Sequence, residues 1–182
     1  MPLPLECVNP LATDGSLLSQ IAAIEGNGKY TQNTHGAAGA SGRYQIEEGT
    51  AVDEMIRMGM VNTEEQGREL WQQCRASDSP ECRGVQDKVA TSYSNQIKKS
   101  LPENQQTHGN LYLRWNMGIT GSNEILQAHN TTGQVTNQVR INKMDNQAWT
   151  GQSNPSHGNT EQFLGGMREY MKRRGTDPDS PI

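Results

Sequence analysis

The stretch Ser16-Leu-Leu-Ser-Gln-Ile-Ala-Ala-Ile-Glu-Gly-Asn-Gly28 is the first clearly periodic segment of the chain. Leu17, Leu18, Ile21 and Ile24 recur at helical spacing, so about Ser16 to Glu25 is expected to form an amphipathic helix, with Asp14 and Ser16 as capping candidates. Gly26 and Gly28 stop it. Glu25 falls in the last turn, on the face that carries Leu18, Ile21 and Ala22. A carboxylate there is half desolvated, which disfavours its charged form and raises its pKa, and the negative end of the helix dipole pushes the same way. A general acid requires that property near neutral pH. On periodicity alone, a solvated glutamate at a helix end is the simpler reading.

Working outward, the spacing predicts a second helix over about 49–60 with Val52, Met55, Ile56 and Met60 facing inward. Thr63-Glu-Glu-Gln66 reads as a capping box opening a third helix, which carries Leu70 and Trp71. Ser79-Pro80-Glu81 supplies an N-cap, an N1 proline and an N2 acid for a fourth, in which Val85, Val89, Tyr93 and Ile97 recur every four residues. Further helices are expected at 110–117, at 122–129 and at 160–174, the last with a stripe of Phe163, Leu164, Met167, Tyr170 and Met171. Lys172, Arg173 and Arg174 suit its C-terminal dipole. Polar, Gly- and Asn-rich stretches at 26–44, 102–110, 129–138 and 150–160 are loops or a small β-lobe. The tail from Thr176 to Ile182 is expected to be disordered.

A chain of 182 residues fits one domain of ordinary size, here over 1–175 ahead of that tail. Apolar residues make up 32% of it, so the core is lean and rests on Leu, Ile, Val, Met and three Trp. A net charge of −4 leaves no electrostatic footprint for nucleic acid. The opening Met1-Pro-Leu-Pro-Leu-Glu-Cys-Val-Asn-Pro10 has neither a basic region nor an unbroken apolar run, so synthesis in the cytoplasm without a signal peptide is expected. No apolar stretch approaches the roughly 20 residues of a membrane span, and no membrane insertion is expected. Cys7, Cys74 and Cys82 are too few and too oddly spaced for a zinc cage, and His35, His108, His129 and His157 share no ligand spacing, so neither a metal nor another cofactor is expected. Cys74 and Cys82 bracket a polar loop, which reads either as a disulfide-closed loop in an oxidising compartment or as two reduced thiols.

The segment Gly39-Ala-Ser-Gly-Arg-Tyr-Gln-Ile46, with Thr50-Ala51 soon after, changes the weight on Glu25. A helix ending in Glu, then a Gly/Asn-rich loop, then Gly-Ala-x-Gly-x-x-Gln-Ile and Thr-Ala, resembles the first two motifs of lytic transglycosylases and related goose-type lysozymes. Trp115-Asn-Met-Gly118 resembles the third, a Tyr-Asn-x-Gly turn, and the three arrive in the family's order over roughly 15–130. The resemblance implies a mainly α fold, a lysozyme-like α+β domain whose predominantly helical lobe and small loop/β lobe flank a substrate cleft. It implies that Glu25 is the catalytic acid, that Ser41 and Gln45 touch the sugar or hold Glu25, and that Asn116 lines the cleft. Tyr30, Tyr44, Tyr112 and Trp115 are placed near the motifs for stacking on sugar rings, although most aromatics so placed are core. Two departures, Glu25-Gly-Asn-Gly28 where many members have Glu-Ser, and Gly42-Arg-Tyr-Gln45 where Gly-Leu-Met-Gln is usual, count against transglycosylase chemistry as such and put a true hydrolase on at least an equal footing.

The implied activity is cleavage of the β-1,4 glycan backbone of bacterial peptidoglycan, as a muramidase or an N-acetylglucosaminidase. Lytic transglycosylase and phage endolysin are the alternatives within that class. A non-catalytic glycan-binding module with an idle Glu25 is the alternative of another class, and a cysteine peptidase or amidase lacks a recognisable nucleophile motif. Hydrolysis calls for a second carboxylate, for which Glu47, Glu48 and Asp53 are the candidates, or for attack by the substrate's own N-acetyl group. The acidic balance fits an endolysin poorly, and by analogy size, the absence of a wall-binding module and the bridged reading of Cys74 and Cys82 resemble the stand-alone antibacterial effectors that type VI secretion exports into a rival's periplasm. An immunity protein occluding the active site would then be the expected partner.

Overall fold

Side-chain caps open several helices of this computed structural model, which describes residues 17–26, 29–31, 39–150 and 155–182. The expected caps Asp14 and Ser16, and also Cys7, Gly28 and His35, lie outside the described residues. The chain divides into two compact units, Met1–Asn95 and Gln96–Ile182. The protein is mainly α-helical, and extended structure among the described residues is confined to isolated bridges at Ser41–Ile46, Thr107–Pro181 and Gln134–Asn159. No helix among the described residues is long and apolar enough to cross a membrane.

In the first unit, α1 (Leu17–Gly26) buries Leu18, Ile21, Ala22 and Ile24, as its periodicity requires. Helix α2 (Glu48–Arg57) and helix α3 (Glu64–Cys74) pack closely at Gly67, where a Cβ would stand 2.9 Å from Val52 Cγ1. Thr63 caps α3 by accepting from the Gln66 amide, while the Gln66 side chain accepts from the Asn62 amide, one residue earlier than a capping box proper. The inward stripe of α2 is Ala51, Val52 and Met55, but Ile56, expected to face inward, is 37% exposed. Glu54 is buried instead, because on that side Ser92 Oγ donates to its Oε2 at 2.6 Å and Arg57 lies 3.6 Å from its Oε1. Helix α4 (Pro80–Ser100), whose residues from Gln96 on belong to the second unit, starts as read, with Ser79 Oγ accepting from the Cys82 amide at 3.2 Å, and it buries Val85 and Val89.

In the second unit, the two helices expected at 110–117 and 122–129 form α5 (His108–Thr131), interrupted at Gly118, where φ is 71° and ψ is 170°. The guanidinium of Arg140, on α6 (Gln138–Asp145), occupies the space beside Gly121 and reaches the Met117 carbonyl at 3.4 Å. Arg114, almost fully buried, spans the break. It donates to Ser100 Oγ at 2.7 Å and to Asn123 Oδ1 at 2.8 Å, and burial lowers its pKa from the ordinary guanidinium value. Helix α7 (Thr160–Arg173) buries Phe163, Met167 and Met171, and Trp149 meets the rings of Tyr112, Phe163 and Tyr170.

The stretch 176–182, expected to be disordered, is tied to the start of α5. The His108 and Gly109 amides donate to the Ser180 and Pro178 carbonyls, the Ile182 amide donates to Gln106, and Thr176 and Pro178 are buried. Polar composition hid those backbone partners. At Gly118 a Cβ would meet nothing within 4 Å, so Gly118→Ala isolates the backbone term alone. It is expected to lower unfolding stability by about 1–3 kcal/mol, because that dihedral region is nearly glycine-only. An unchanged urea midpoint would mean that α5 runs on unbroken.

Candidate functional site

Glu25 stands half-buried in the last turn of α1, four residues after Ile21 and three after Ala22, both buried. In the same unit, residues 41–46 close a tight turn in which the Ser41 and Ile46 backbones exchange both hydrogen bonds at 3.2 Å. Two left-handed residues make the turn, Gly42 (φ 75°) and Gln45 (φ 49°). A non-glycine residue rarely holds such a φ without compensation. At Gln45 the compensation includes its own side chain, whose Nε2 donates to the Gly42 carbonyl at 2.8 Å. Ser41 is 1% exposed and its Oγ donates to the Gly39 carbonyl at 3.1 Å, so it builds the turn rather than facing a ligand. Gln45 remains half-exposed.

Two residues of α4 that the periodicity passed over hold this turn. Gln86, 1% exposed, donates from Nε2 to the Cys74 carbonyl at 2.6 Å and accepts at Oε1 from the Arg43 amide at 3.0 Å. Asp87 accepts from Tyr44 at 2.7 Å and from Tyr30 at 2.9 Å on the same oxygen. Tyr44 is 4% exposed, which corrects the expectation that it offers a free face to sugar. The Arg43 guanidinium stands 5.0 Å from the Tyr30 ring centre and 5.8 Å from that of Tyr44, and it donates to the Tyr30 hydroxyl at 3.2 Å. An acid of α4 beside a Val85, Val89 register offered no sign in sequence that it would accept two phenols.

Burial raises the phenol pKa of Tyr30 and Tyr44, and the bond to Asp87 adds to the shift, while Arg43 offsets part of it. Burial, with Glu47 and Glu54 nearby, pushes Tyr93 up to about 12. A raised pKa means that the neutral phenol stabilises the fold fully below its ordinary value of 10.0, and that this contribution fades as pH rises toward 12. Tyr44 and Tyr93 are therefore expected to stay silent in a phenolate absorbance titration through pH 10 and to ionise only with loss of helical circular dichroism. Reversible ionisation of all five tyrosines near pH 10 with the fold intact would contradict the arrangement.

The candidate second carboxylates lie around the start of α2. Glu47, at its N-cap, and Asp53 are exposed, and the half-exposed Glu48 accepts from Gln72 Nε2. Tyr112, Trp115 and Asn116 belong to the second unit. Tyr112 is 2% and Trp115 7% exposed, and Tyr112 packs against Trp149 with ring centres 5.7 Å apart. Both rings are core, which corrects their reading as sugar platforms. Asn116 is half-buried and donates to the Tyr112 carbonyl at 2.9 Å, one turn back. The structure joins Cys74 and Cys82 in a disulfide, the first of the two readings that the loop allowed. Among the described residues no group of three His, Cys, Asp or Glu is placed to hold a metal ion. No protein-family model matches the chain, and no curated protein or solved structure matches it significantly.

Proposed function

We propose that this chain is a glycoside hydrolase of bacterial peptidoglycan, a muramidase or N-acetylglucosaminidase, with Glu25 as its general acid. The observation that carries the reading is the position of Glu25, half-buried at the end of a helix whose other face residues are core, ahead of a turn built on Gly42 and Gln45. A carboxylic acid in such a place delivers its proton to the glycosidic oxygen as the bond breaks. Glu47 and Asp53 face solvent, as a carboxylate that activates water has to, while the substrate's N-acetyl group supplies the route that needs no partner. Gln45, not fully buried, is the polar side chain of the first unit assigned to glycan contact.

The reading makes the mainly α fold a lysozyme-like one, with a cleft between a helical and a loop/β lobe. The disulfide fits work in an oxidising compartment such as the periplasm. An acidic chain suits the anionic envelope poorly as an endolysin, so export as an antibacterial effector, with an immunity protein covering Glu25 in the producer, is the delivery route proposed. Incubating the purified chain with insoluble peptidoglycan, and following both turbidity and the bound fraction, tests the reading. Clearing of the suspension supports it, binding without clearing points to a glycan-binding module, and neither refutes both.

A further inference from the structure

The disulfide loop, Gln86 and the turn at 42–45 form one continuous chain of contacts inside the first unit. The Gln86 amide group faces the loop, with Nε2 at 2.6 Å from the Cys74 carbonyl and 3.4 Å from that of Ser77. It also reaches the Tyr30 carbonyl at 3.3 Å. Its Oε1 faces the turn and holds the Arg43 amide at 3.0 Å. Gly42 has no room for a side chain, because a Cβ there would lie 2.3 Å from Gln86 Oε1 and 2.9 Å from the Arg75 carbonyl. The Gly42 carbonyl in turn anchors the Gln45 side chain at 2.8 Å. Both polar atoms of a side chain only 1% exposed are thus engaged, Nε2 with the loop and the Tyr30 carbonyl and Oε1 with the turn.

We propose that Gln86 is a positioning residue that makes the conformation of the 42–45 turn depend on the Cys74–Cys82 bond. With the bond formed, the carbonyls of Cys74 and Ser77 are fixed and the Gln86 amide has one orientation. A small dithiol attacks at the half-exposed Cys82 sulfur, since Cys74 is 3% exposed. The disulfide breaks, each cysteine ends as a thiol, and the reagent closes to its cyclic disulfide, so two electrons and two protons pass to the protein. The loop carbonyls then lose their fixed spacing, Gln86 is released, and the left-handed Gln45 loses its support. A chain kept in a reducing cytoplasm carries a loosened turn, and oxidation outside it sets the turn. Because Gln45 is assigned to glycan contact, the functional consequence rests on the reading above, while the coupling itself does not.

Amide hydrogen exchange separates the two. The full chain is compared oxidised, reduced by a small dithiol, and as Cys74→Ser/Cys82→Ser, Gln86→Leu and Gln86→Glu, with the Gln45→Ala variant of Glu25→Gln as a binding control. Reduction and Gln86→Leu are expected to speed exchange of the Arg43 and Ile46 amides about tenfold or more, leaving the α5 amides unchanged. Gln86→Glu keeps the acceptor for Arg43 but loses the donor to Cys74, so its turn should exchange fast whether oxidised or reduced. Peptidoglycan binding by Glu25→Gln should weaken on reduction to about the level of its Gln45→Ala variant. Slow turn exchange in both redox states overturns the coupling, as does uniform loss of protection across both units. If the turn amides respond but Glu25→Gln binds no peptidoglycan in either state, the coupling stands and the glycan reading fails.

Discussion

Glu25→Gln is expected to slow the release of soluble fragments from peptidoglycan by about 10²–10⁴-fold while leaving the fold intact. The range is that of a positioned general acid, equivalent to about 3–5 kcal/mol of barrier. Glutamine has nearly the same shape and stays uncharged, so a half-buried site at a helix end tolerates it, with a change of about 0.5 kcal/mol or less. Binding to the insoluble wall is expected to survive, because the amide can still hydrogen-bond to a sugar but has no proton to deliver. Parallel measurement of fragment release, wall binding and thermal midpoint separates these effects. Equal rates for the two proteins, with both folded, would remove Glu25 from the chemistry.

Among the described glycines of the first unit, Gly42→Ala is expected to be the most damaging added methyl, at about 2–5 kcal/mol. Two costs add there. A left-handed backbone costs a non-glycine residue about 1–2 kcal/mol, and forcing a methyl against Gln86 and the Arg75 carbonyl adds about 1–3 kcal/mol of overpacking. Gly39→Ala is the control, since Gly39 has φ 66° but nothing within 4 Å of a Cβ, so only the backbone cost applies. Urea midpoints should therefore rank native above Gly39→Ala above Gly42→Ala. Equal losses for the two variants would show that the Gln86 side chain does not fill the space beside Gly42.

Local signals carried the helices well where one residue type has one dominant use. Thr63 before Gln66, and Ser79 before Pro80, cap as read because a short side-chain oxygen there meets amides that have no other partner. Helix α6 has no counterpart among the expected helices, since Met144 is its one buried residue and Asn137 at its cap lies in a stretch whose composition reads as polar loop. Glu54 and Gln86 were invisible for a different reason. Their burial depends on Ser92 and on the Cys74 and Arg43 backbones, partners far away in sequence that no periodicity encodes. Of the candidate site, Glu25 and Gln45 keep their exposure, whereas Ser41, Tyr44, Tyr112 and Trp115 are claimed by packing. An aromatic beside a motif serves the core more often than a ligand, and the Tyr44 hydroxyl is taken by Asp87 before any sugar.

The most direct measurement of the central claim is mass spectrometry of the fragments that the native chain and Glu25→Gln release from purified, radiolabelled peptidoglycan. The account predicts new reducing ends from the native chain, MurNAc for a muramidase or GlcNAc for a glucosaminidase, and none above background from Glu25→Gln. Anhydro-MurNAc ends would move the activity to a lytic transglycosylase while keeping Glu25 as the acid. Intact glycan strands with cleaved peptides, or the same ends from both proteins, would contradict the account.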